Sequence, residues 1–226
     1  MPEAAAIRRM FAGVAPRYDF LNHLLSLGID RRWRSEVAAG LGLSPTDRVL
    51  DLCCGTGDLS LLVARYARSY GCDFTPEMLA RARHKSADVG ARVELVAADV
   101  IRLPFRAESF DAATIAFGAR NLEDIVAGFR EFRRVLRPGG KLAILEFSHP
   151  HHPLLRLPYH VYLHGILPLL GRVVSRKDGA YRYLADSIRG FPEPDAVCGL
   201  LTSAGFTRVA FRPLTGGIVA IHEARA

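Results

Sequence analysis

The chain has 226 residues, half of them hydrophobic and 23% charged, an ordinary globular composition that suits one domain with a substantial core. Its 30 basic and 23 acidic residues give a net charge of +7, without long basic blocks or the interleaved aromatic residues of single-strand binders. This argues against a nucleic-acid partner and favours a solvated basic surface with some attraction to anionic lipid. The start, MPEAAAIRRMF, lacks the apolar run of a secretory signal, and the four cysteines lack CxxC spacing, so we expect reduced thiols and a cytoplasmic protein.

Short apolar runs alternate with helical patterns between residues 48 and 147, which predicts an α/β fold around a parallel sheet. In chain order, strands are predicted at 48–52, 69–74, 93–97, 110–117 and 142–147, with closing strands at 207–212 and 218–223. Helices are predicted at 58–68, from 75 to about 87, at 122–136 and at 196–204. A stop signal, Arg-Pro-Gly-Gly at 137–140, follows the third of these helices.

Two segments fall outside this alternation. Residues 1–40 have a helical pattern, and residues 149–190 are rich in proline, histidine and aromatic residues. Such additions usually cover the carboxyl edge of the sheet, where ligands bind in these folds. We therefore predict one domain over residues 1–226, with a helical N-terminal cover at 1–40 and a substrate-side insertion at 149–190, after the fifth strand.

The segment LDLCCGTGDLS at 50–60 joins the first predicted strand to a helix. It lacks the lysine of a phosphate loop, and Ser60 stands where a dinucleotide loop has its third glycine. Gly55 and Gly57 still permit a tight turn and the close approach of a nucleoside. Asp58 puts a carboxylate where a dinucleotide enzyme seats its pyrophosphate, and this charge would repel phosphate. A nucleoside with a cationic end and no phosphate fits better, and S-adenosylmethionine is such a molecule.

Two more acids close the next strands of the predicted sheet. Asp73 ends the second strand, as the ribose-binding acid of nucleoside folds does, and Asp99 ends the third, where a carboxylate can accept the adenine amine. Their spacing strengthens the prediction of S-adenosylmethionine as the cofactor. Cys53 and Cys54 are predicted to be small apolar wall residues, with unusual thiol reactivity near a helix N-terminus as the alternative.

Several histidines lie in the predicted insertion. His149, His151 and His152 stand among prolines, and His160 and His164 are four residues apart. The glutamate of an HExxH zinc site is absent, and displacement from a sulfonium needs no metal. We therefore predict no metal site and interpret these histidines as loop and surface residues.

The glycine loop, Asp73 and Asp99 make the sequence resemble the class I S-adenosylmethionine-dependent methyltransferases. It is similar to one branch of them in particular, the C-methyltransferases of menaquinone and ubiquinone biosynthesis. The matching stretches cover nearly the full length, and those specific to the branch are PRYDFLN (16–22), FGARN (117–121), YLADSI (183–188) and GGIVAIH (216–222). The resemblance implies a Rossmann-like sheet with helices on both faces.

The resemblance also implies residues of the cofactor pocket and a class of substrate. The predicted cofactor-binding residues are Asp51, Gly55, Thr56, Gly57, Asp73, Asp99, Val100 and Ala116. Ala116 replaces a small polar residue of many relatives, so any contribution there must come through the backbone. The implied substrate is an isoprenoid quinol methylated on a ring carbon, first of all demethylmenaquinol.

Three alternatives to that substrate stay open at this point. They are a polyprenyl methoxy-benzoquinol, another lipid or phenol acceptor of a same-fold methyltransferase, and a non-catalytic nucleoside-binding subunit. A nucleic-acid methyltransferase is disfavoured, because Phe-Gly-Ala-Arg at 117–120 stands where an Asn/Asp-Pro-Pro-aromatic motif is expected.

Methylation of a ring carbon requires a way to favour the phenolate form of the acceptor, because a neutral phenol is a poor carbon nucleophile. Arg120 and Asn121 are the candidates, as a fixed cation and a second donor to the developing oxyanion. The alternative is an Arg–carboxylate pair and a helix cap by Asn121. The general base is left open among Tyr18, Asp19, His222 and a water held by Asn121.

Residues 157–171 are free of Lys, Arg, Asp and Glu and are flanked by Arg156 and Arg172. The run is shorter than the ~20 residues of a membrane span. We predict an apolar lid or groove for a polyprenyl tail that touches the bilayer surface, which makes the protein peripheral at the inner face of the membrane. Ordinary core is the alternative. The oligomeric state is left open, with a homodimer among the alternatives.

Overall fold

The computed structural model of the protein describes residues 4–15, 18–150, 159, 161, 165 and 178–226. The predicted lid at 157–171 lies outside these residues apart from Tyr159, Val161 and Gly165 and therefore stays a prediction. His151, His152, His160 and His164 also lie outside them.

Within the described residues, one sheet contains β1 (Arg48–Leu52), β2 (Arg68–Asp73), β3 (Val93–Ala97), β4 (Phe110–Ala116), β5 (Leu136–Phe147), β6 (Thr207–Leu214) and β7 (Val219–Arg225). The order across the sheet is β3-β2-β1-β4-β5-β7-β6. Strands β1 to β5 are parallel, and β7 runs antiparallel to both β5 and β6. The strand order reverses between β1 and β4, which is the point where such sheets bind ligands.

The predicted strands are all present, but β5 begins at Leu136 and not at residue 142. The stop signal does end the preceding helix, yet the chain continues directly as a strand. Gly139 takes a φ of 77°, and its N–H donates to the carbonyl of Ala226 at 2.9 Å. The pairing of β4 with β5 shifts register between Phe110 and Ala112, so the Pro-Gly-Gly segment is accommodated as a strand irregularity.

The helices of the described ranges are α1 (Ala4–Val14), α2 (Tyr18–Leu25), α3 (Ile29–Gly40), α4 (Asp58–Val63), α5 (Pro76–Asp88), α6 (Ile125–Val135), α7 (Asp178–Gly190) and α8 (Pro194–Ser203). The helical pattern predicted in residues 1–40 therefore corresponds to the three helices α1, α2 and α3. Helix α4 stops five residues before the predicted end, because the chain turns there to enter β2 at Arg68. Within the described residues, no helix is long and apolar enough to cross a membrane.

Helix α6 starts three residues later than predicted. Residues Ala119–Asn121 form a separate 3₁₀ turn, and Asp124 takes an extended conformation with a φ of −127°. Its carboxylate accepts the N–H of Ala127 at 2.9 Å, which makes Asp124 the N-cap. The alternative that Asn121 caps this helix is therefore wrong.

Hydrophobic clusters lie on both faces of the sheet. On one face, Phe129 and Phe132 of α6 and Leu201 of α8 join a cluster with Ile144 of β5. On the other face, α3 and α4 pack against β5 through a cluster that includes Leu145. The neighbours Ile144 and Leu145 point to opposite faces because side chains alternate along a strand. The predicted Rossmann-like sheet with helices on both faces is confirmed.

Candidate cofactor and substrate site

The loop after β1 is built on left-handed backbone. Cys53, Gly55 and Gly57 have φ values of 50°, 56° and 83°. A side chain at Gly57 would place its Cβ 3.1 Å from the Cβ of Ala82, so glycine is required there for both conformation and space. Gly57 leads directly into α4, so the loop turns the chain tightly at the carboxyl end of β1.

The two adjacent cysteines are wall residues of this loop. Cys54 is buried, and Cys53 lies so close to Gly118 that a Cβ added there would come within 2.6 Å of the Cβ of Cys53. Burial raises the pKa of both thiols well above its ordinary value, and the nearby carboxylates of Asp51 and Asp73 raise it further. Thiols that keep their proton at neutral pH are poor nucleophiles, which argues against the alternative of unusual reactivity.

A cleft of about 770 Å³, counted with its open mouth, lies at the carboxyl ends of β1 to β4. Apolar side chains from α1 and from the end of β4 face it, including Ile7, Phe11 and Phe117. Of the predicted site residues, its wall contains Tyr18, Gly55, Asp73, Asp99, Val100, Ala116 and Asn121. A smaller cavity of about 320 Å³ shares part of this wall and adds Arg34, Asp51, Thr56 and Asp58.

Both carboxylate oxygens of Asp73 accept hydrogen bonds from backbone N–H groups. The N–H of Gly55 donates to Oδ2 at 2.9 Å, and the N–H of Thr75 donates to Oδ1 at 2.8 Å. Burial raises the pKa of this carboxyl, and the backbone donors oppose the rise. Asp73 thereby ties the glycine loop to the start of α5 and still faces the cleft.

Asp99 and Val100 follow β3 and form another wall of the cleft. Asp99 is exposed, and one of its oxygens accepts the N–H of Ile101 at 3.1 Å. Val100 is buried. Opposite this wall, Ala116 ends β4 and faces both cavities. A flat heterocycle between Val100 and the loop would leave Asp99 beside its polar edge.

Asp51 lies under the loop in the sheet. Its two oxygens accept the hydroxyls of Ser60 at 2.6 Å and Thr114 at 2.9 Å. Burial raises its pKa to about 6, although these hydrogen bonds and the charge of Arg34 lower it. Asp51 therefore carries a partly desolvated charge at the wall of the smaller cavity.

Arg34 is a functional candidate that sequence reasoning missed. It lines the smaller cavity, is 7% exposed, and its guanidinium lies 5.3 Å from the ring centroid of Phe117. It forms an ion pair with the buried carboxylate of Asp30 one helical turn earlier. The Asp30-x-x-x-Arg34 spacing on a predicted helix was the available signal, but it does not reveal that the pair faces a cavity.

Asp58 has a different environment from the one expected. Lys85 of α5 forms an ion pair with Asp58 and donates to Asp19 at 3.1 Å and to Thr56 at 3.3 Å. Thr56 in turn donates to Asp19. Because Lys85 balances the charge of Asp58, repulsion of phosphate by this carboxylate is weaker than the sequence suggested.

His23, Asp30 and Asp58 bring one potential ligand atom each within 4.8 Å of one another. Arg34 already pairs with Asp30, and Lys85 already pairs with Asp58. Two protein cations therefore already balance the charges of the two carboxylates in this group.

Arg120 forms an ion pair with Glu146 at 2.7 Å, and the two side chains are 6% and 1% exposed. The same nitrogen also donates to the carbonyl of Phe117 at 2.6 Å, and the guanidinium lies over the ring of Phe147. The alternative of an Arg–carboxylate pair is therefore what the structure contains. Its charge still reaches the cleft, because Arg120 lowers the pKa of Tyr18 against the larger effect of burial.

Asn121 faces the cleft and accepts a hydrogen bond from the hydroxyl of Tyr183 at 2.8 Å. Tyr183 lies on α7, in the YLADSI motif, and burial raises its pKa. The sequence predicted that the motif is typical of the branch, but it did not predict a role for this tyrosine. A contact between residues 62 positions apart leaves no local pattern.

The candidate bases occupy different places. Tyr18 lies in the walls of both cavities, and burial raises its pKa, so its hydroxyl stays protonated. Asp19 is outside both walls and is held by Thr56 and Lys85. His222 is 2% exposed on β7, where it packs against Phe211 and burial lowers its pKa to about 4. Of these three side chains, only that of Tyr18 borders the cavities.

The family model of the ubiE/COQ5 methyltransferase family matches residues 2–225. The chain belongs to this family. A demethylmenaquinone methyltransferase of Thermus thermophilus is 47% identical over 94% of this chain and 98% of its own. A ubiquinone/menaquinone biosynthesis C-methyltransferase of a Geobacter species is 46% identical over 96% of this chain and 94% of its own. The crystal structure of a SAM-dependent methyltransferase from Aquifex aeolicus shares the fold, with a TM-score of 0.62 and 21% identity over 85% of this chain and 88% of its own.

The family identifies the protein as a methyltransferase whose cofactor is S-adenosylmethionine, and the donor set of the site fits that molecule. Asp73 and Asp99 line the larger cleft, and the smaller cavity combines the carboxylate of Asp51 with the cation of Arg34. A methionine end has an ammonium and a carboxylate group, which match this mixed pair. Gly55 leaves room for the ligand, because an added Cβ there would meet only Tyr18, at 3.9 Å.

Proposed function

We propose that this enzyme methylates a ring carbon of an isoprenoid quinol, and that its acceptor is demethylmenaquinol and its product menaquinol. The observation that supports this most is the 47% identity, over almost the full length of both chains, to a relative named demethylmenaquinone methyltransferase. The geometry agrees with a quinol, because the cleft that contains Asp73 and Asp99 is open and its wall is largely apolar.

The cofactor would be held by residues that the structure already orients. Asp73 would accept hydrogen bonds from the ribose, Asp99 would accept the adenine amine, and Val100 would pack against the base. Arg34 and Asp51 would bind the amino-acid end in the smaller cavity. When bound, S-adenosylmethionine supplies an electrophilic methyl group on a sulfonium, so the protein mainly needs to orient the acceptor carbon towards it.

The quinol ring would enter between α1 and the end of β4. Phe11 and Phe117 offer apolar surface for a flat ring, and Tyr18 lies between the two cavities with its hydroxyl protonated. The left-handed φ of 59° at Phe117 turns the chain at this point. Such conformations in non-glycine residues concentrate at functional sites.

Arg120 and Asn121 would favour the phenolate form of the quinol. Because Oδ1 of Asn121 accepts from Tyr183, its amide N–H groups are the ones left to donate to a ring oxygen. Arg120 would act through its field from within the Glu146 pair and not by direct contact, since it is absent from the walls of both cavities. A water held by Asn121 is the base that we retain, because Asp19 and His222 lie outside both cavities.

A methoxy-benzoquinol is the second candidate acceptor. The Geobacter relative is named for both the ubiquinone and the menaquinone pathways, whereas the Thermus relative is named for demethylmenaquinone alone. The test supplies purified enzyme with S-adenosylmethionine and either demethylmenaquinol or the demethylated benzoquinol. Methylation of the naphthoquinol alone would support the proposal, and methylation of the benzoquinol alone would replace it with the second candidate.

A further inference from the structure

The segment that runs from α2 to the start of α3 exposes apolar side chains. Leu27 is 84% exposed, Phe20 is 63% exposed and Ile29 is 38% exposed. Three of the six most exposed large hydrophobic residues among the described ones thus lie within ten positions; the others are Tyr66, Val89 and Val161. Such a concentration of exposed apolar side chains in one short segment points to an interaction site.

The backbone of this turn is strained where it presents Leu27. Leu27 has a φ of 52°, a left-handed conformation that is costly for a leucine and natural for glycine. The next residue, Gly28, is also left-handed and donates to the carbonyl of His23 at 2.7 Å. The fold gains no packing from an outward leucine at this position. We therefore expect this side chain to contact another molecule.

A buried polar network holds the turn in this shape. The carboxylate of Asp30, 3% exposed, pairs with Arg34 and accepts from Ser26 at 2.6 Å and from His23 at 2.9 Å. Burial alone would raise the pKa of Asp30, but these donors outweigh it and lower the pKa. These contacts fix the ends of the turn that presents Leu27 to solvent.

Basic side chains accompany the apolar ones. Arg31 and Arg32 come two and three residues after Ile29 and are exposed, and Arg32 pairs with Glu36 at 3.4 Å. Residues 1–35 contain six arginines and three acidic residues. Apolar side chains beside exposed arginines complement the acyl boundary and the phosphates of an anionic bilayer.

Helix α2, which carries Phe20, also contributes to the walls of the cavities. Tyr18 begins α2 in the wall of both cavities, and Phe20 is exposed two residues later on the same helix. We infer that the α2–α3 turn surface, formed by Phe20, Leu27, Ile29, Arg31 and Arg32, docks on anionic membrane. Docked there, the enzyme would hold its cleft close to the lipid phase that carries an isoprenoid quinol; this purpose rests on the proposed function, whereas the docking itself does not.

The test is co-sedimentation with vesicles of phosphatidylglycerol and phosphatidylcholine at low salt. The double variant Phe20→Ser/Leu27→Ser should bind roughly ten-fold more weakly, because each side chain contributes apolar burial at the interface. The matched control Tyr66→Ser/Val89→Ser changes two exposed apolar residues elsewhere and should bind like the parent enzyme. Arg31→Gln/Arg32→Gln should also weaken binding, and vesicles of phosphatidylcholine alone should bind less of every protein.

A second variant separates docking from folding. Leu27→Gly removes the side chain and relieves the left-handed backbone, so it should unfold at a higher temperature and still bind vesicles more weakly. All surface variants should methylate a water-soluble, short-tailed quinol at the parent rate. If no quinol is methylated while the vesicle results hold, the proposed function fails and the docking stands.

Equal vesicle binding by the parent and the Phe20→Ser/Leu27→Ser variant would overturn the inference. So would a dimeric parent that becomes monomeric in this variant, because the surface would then be covered by a second copy of the chain. Sedimentation velocity without vesicles distinguishes this outcome.

Discussion

The hydroxyl of Tyr183 donates to Oδ1 of Asn121 at 2.8 Å and so joins α7 to the turn that follows β4. This contact determines which end of the Asn121 amide is free. With its oxygen engaged, the amide nitrogen is directed to other partners, and Asn121 lies in the wall of the cleft. The arrangement suits a residue that donates to a developing phenolate.

Tyr183→Phe should lower turnover about five-fold, because one hydrogen bond of about 1 kcal/mol that orients Asn121 is lost. The affinity for S-adenosylmethionine should stay unchanged, since Tyr183 is absent from the walls of both cavities. Steady-state kinetics on the quinol with calorimetry on the cofactor checks both expectations. Tyr66→Phe at an exposed site is the control, and a loss of cofactor affinity in Tyr183→Phe would contradict the positioning role.

Glu146→Ala should lower the free energy of unfolding by about 3–5 kcal/mol, because it leaves the guanidinium of Arg120 buried without its partner. The double variant Arg120→Met/Glu146→Met should recover most of this stability, since no unpaired charge remains. It should nevertheless lose turnover, because the field that favours the phenolate is gone. Urea unfolding and a methylation assay separate the two effects, and a stable double variant with parent turnover would remove Arg120 from the catalytic account.

Asp51→Asn should be more stable than the parent protein at neutral pH. Asp51 has a pKa of about 6 in the fold, above its ordinary value, so ionising it costs stability. The contribution of the protonated form is fully present below about pH 4 and is lost as the pH rises through 6. The gain from Asp51→Asn should therefore be roughly 2–3 kcal/mol at pH 7 and vanish near pH 4. Urea unfolding from pH 4 to pH 8 measures it, and a gain independent of pH would show that burial does not control this carboxyl.

Asp99→Ala should weaken the binding of S-adenosylmethionine by roughly ten- to hundred-fold, since a hydrogen bond to a charged acceptor contributes roughly 1.5–3 kcal/mol. Little stability should be lost, because Asp99 is exposed. Glu94→Ala removes an exposed acid from the neighbouring strand β3 and should leave cofactor binding unchanged. Equal affinities of the two variants by calorimetry would exclude Asp99 from the pocket.

The placement of Gly55, Asp73 and Asp99 could be predicted because it depends on local pattern. Each of them follows a short apolar strand, and parallel strands deliver their carboxyl ends to one edge of a sheet. Cys53 and Cys54 were predicted to be wall residues because a free cysteine behaves as a small apolar side chain. Their raised pKa values agree with burial at that edge.

Contacts between distant segments could not be predicted in this way. Lys85 neutralises Asp58 from a helix 27 positions further along, which no spacing rule reveals. The choice of Asp124 over Asn121 as helix cap depended on a 3₁₀ turn, since both residues are good caps three positions apart. The spacing of Asp30 and Arg34 could have predicted their ion pair, but it does not predict the cavity that Arg34 lines.

The most direct test of the central claim is the mass of the product. The enzyme, S-adenosylmethionine with a deuterated methyl group and demethylmenaquinol are incubated together, and the extracted quinone is fragmented in a mass spectrometer. The account predicts a labelled methyl on a carbon of the naphthoquinone ring and a rate that falls strongly in Asn121→Ala. Label on a ring oxygen, or no label on any quinol offered, would contradict it.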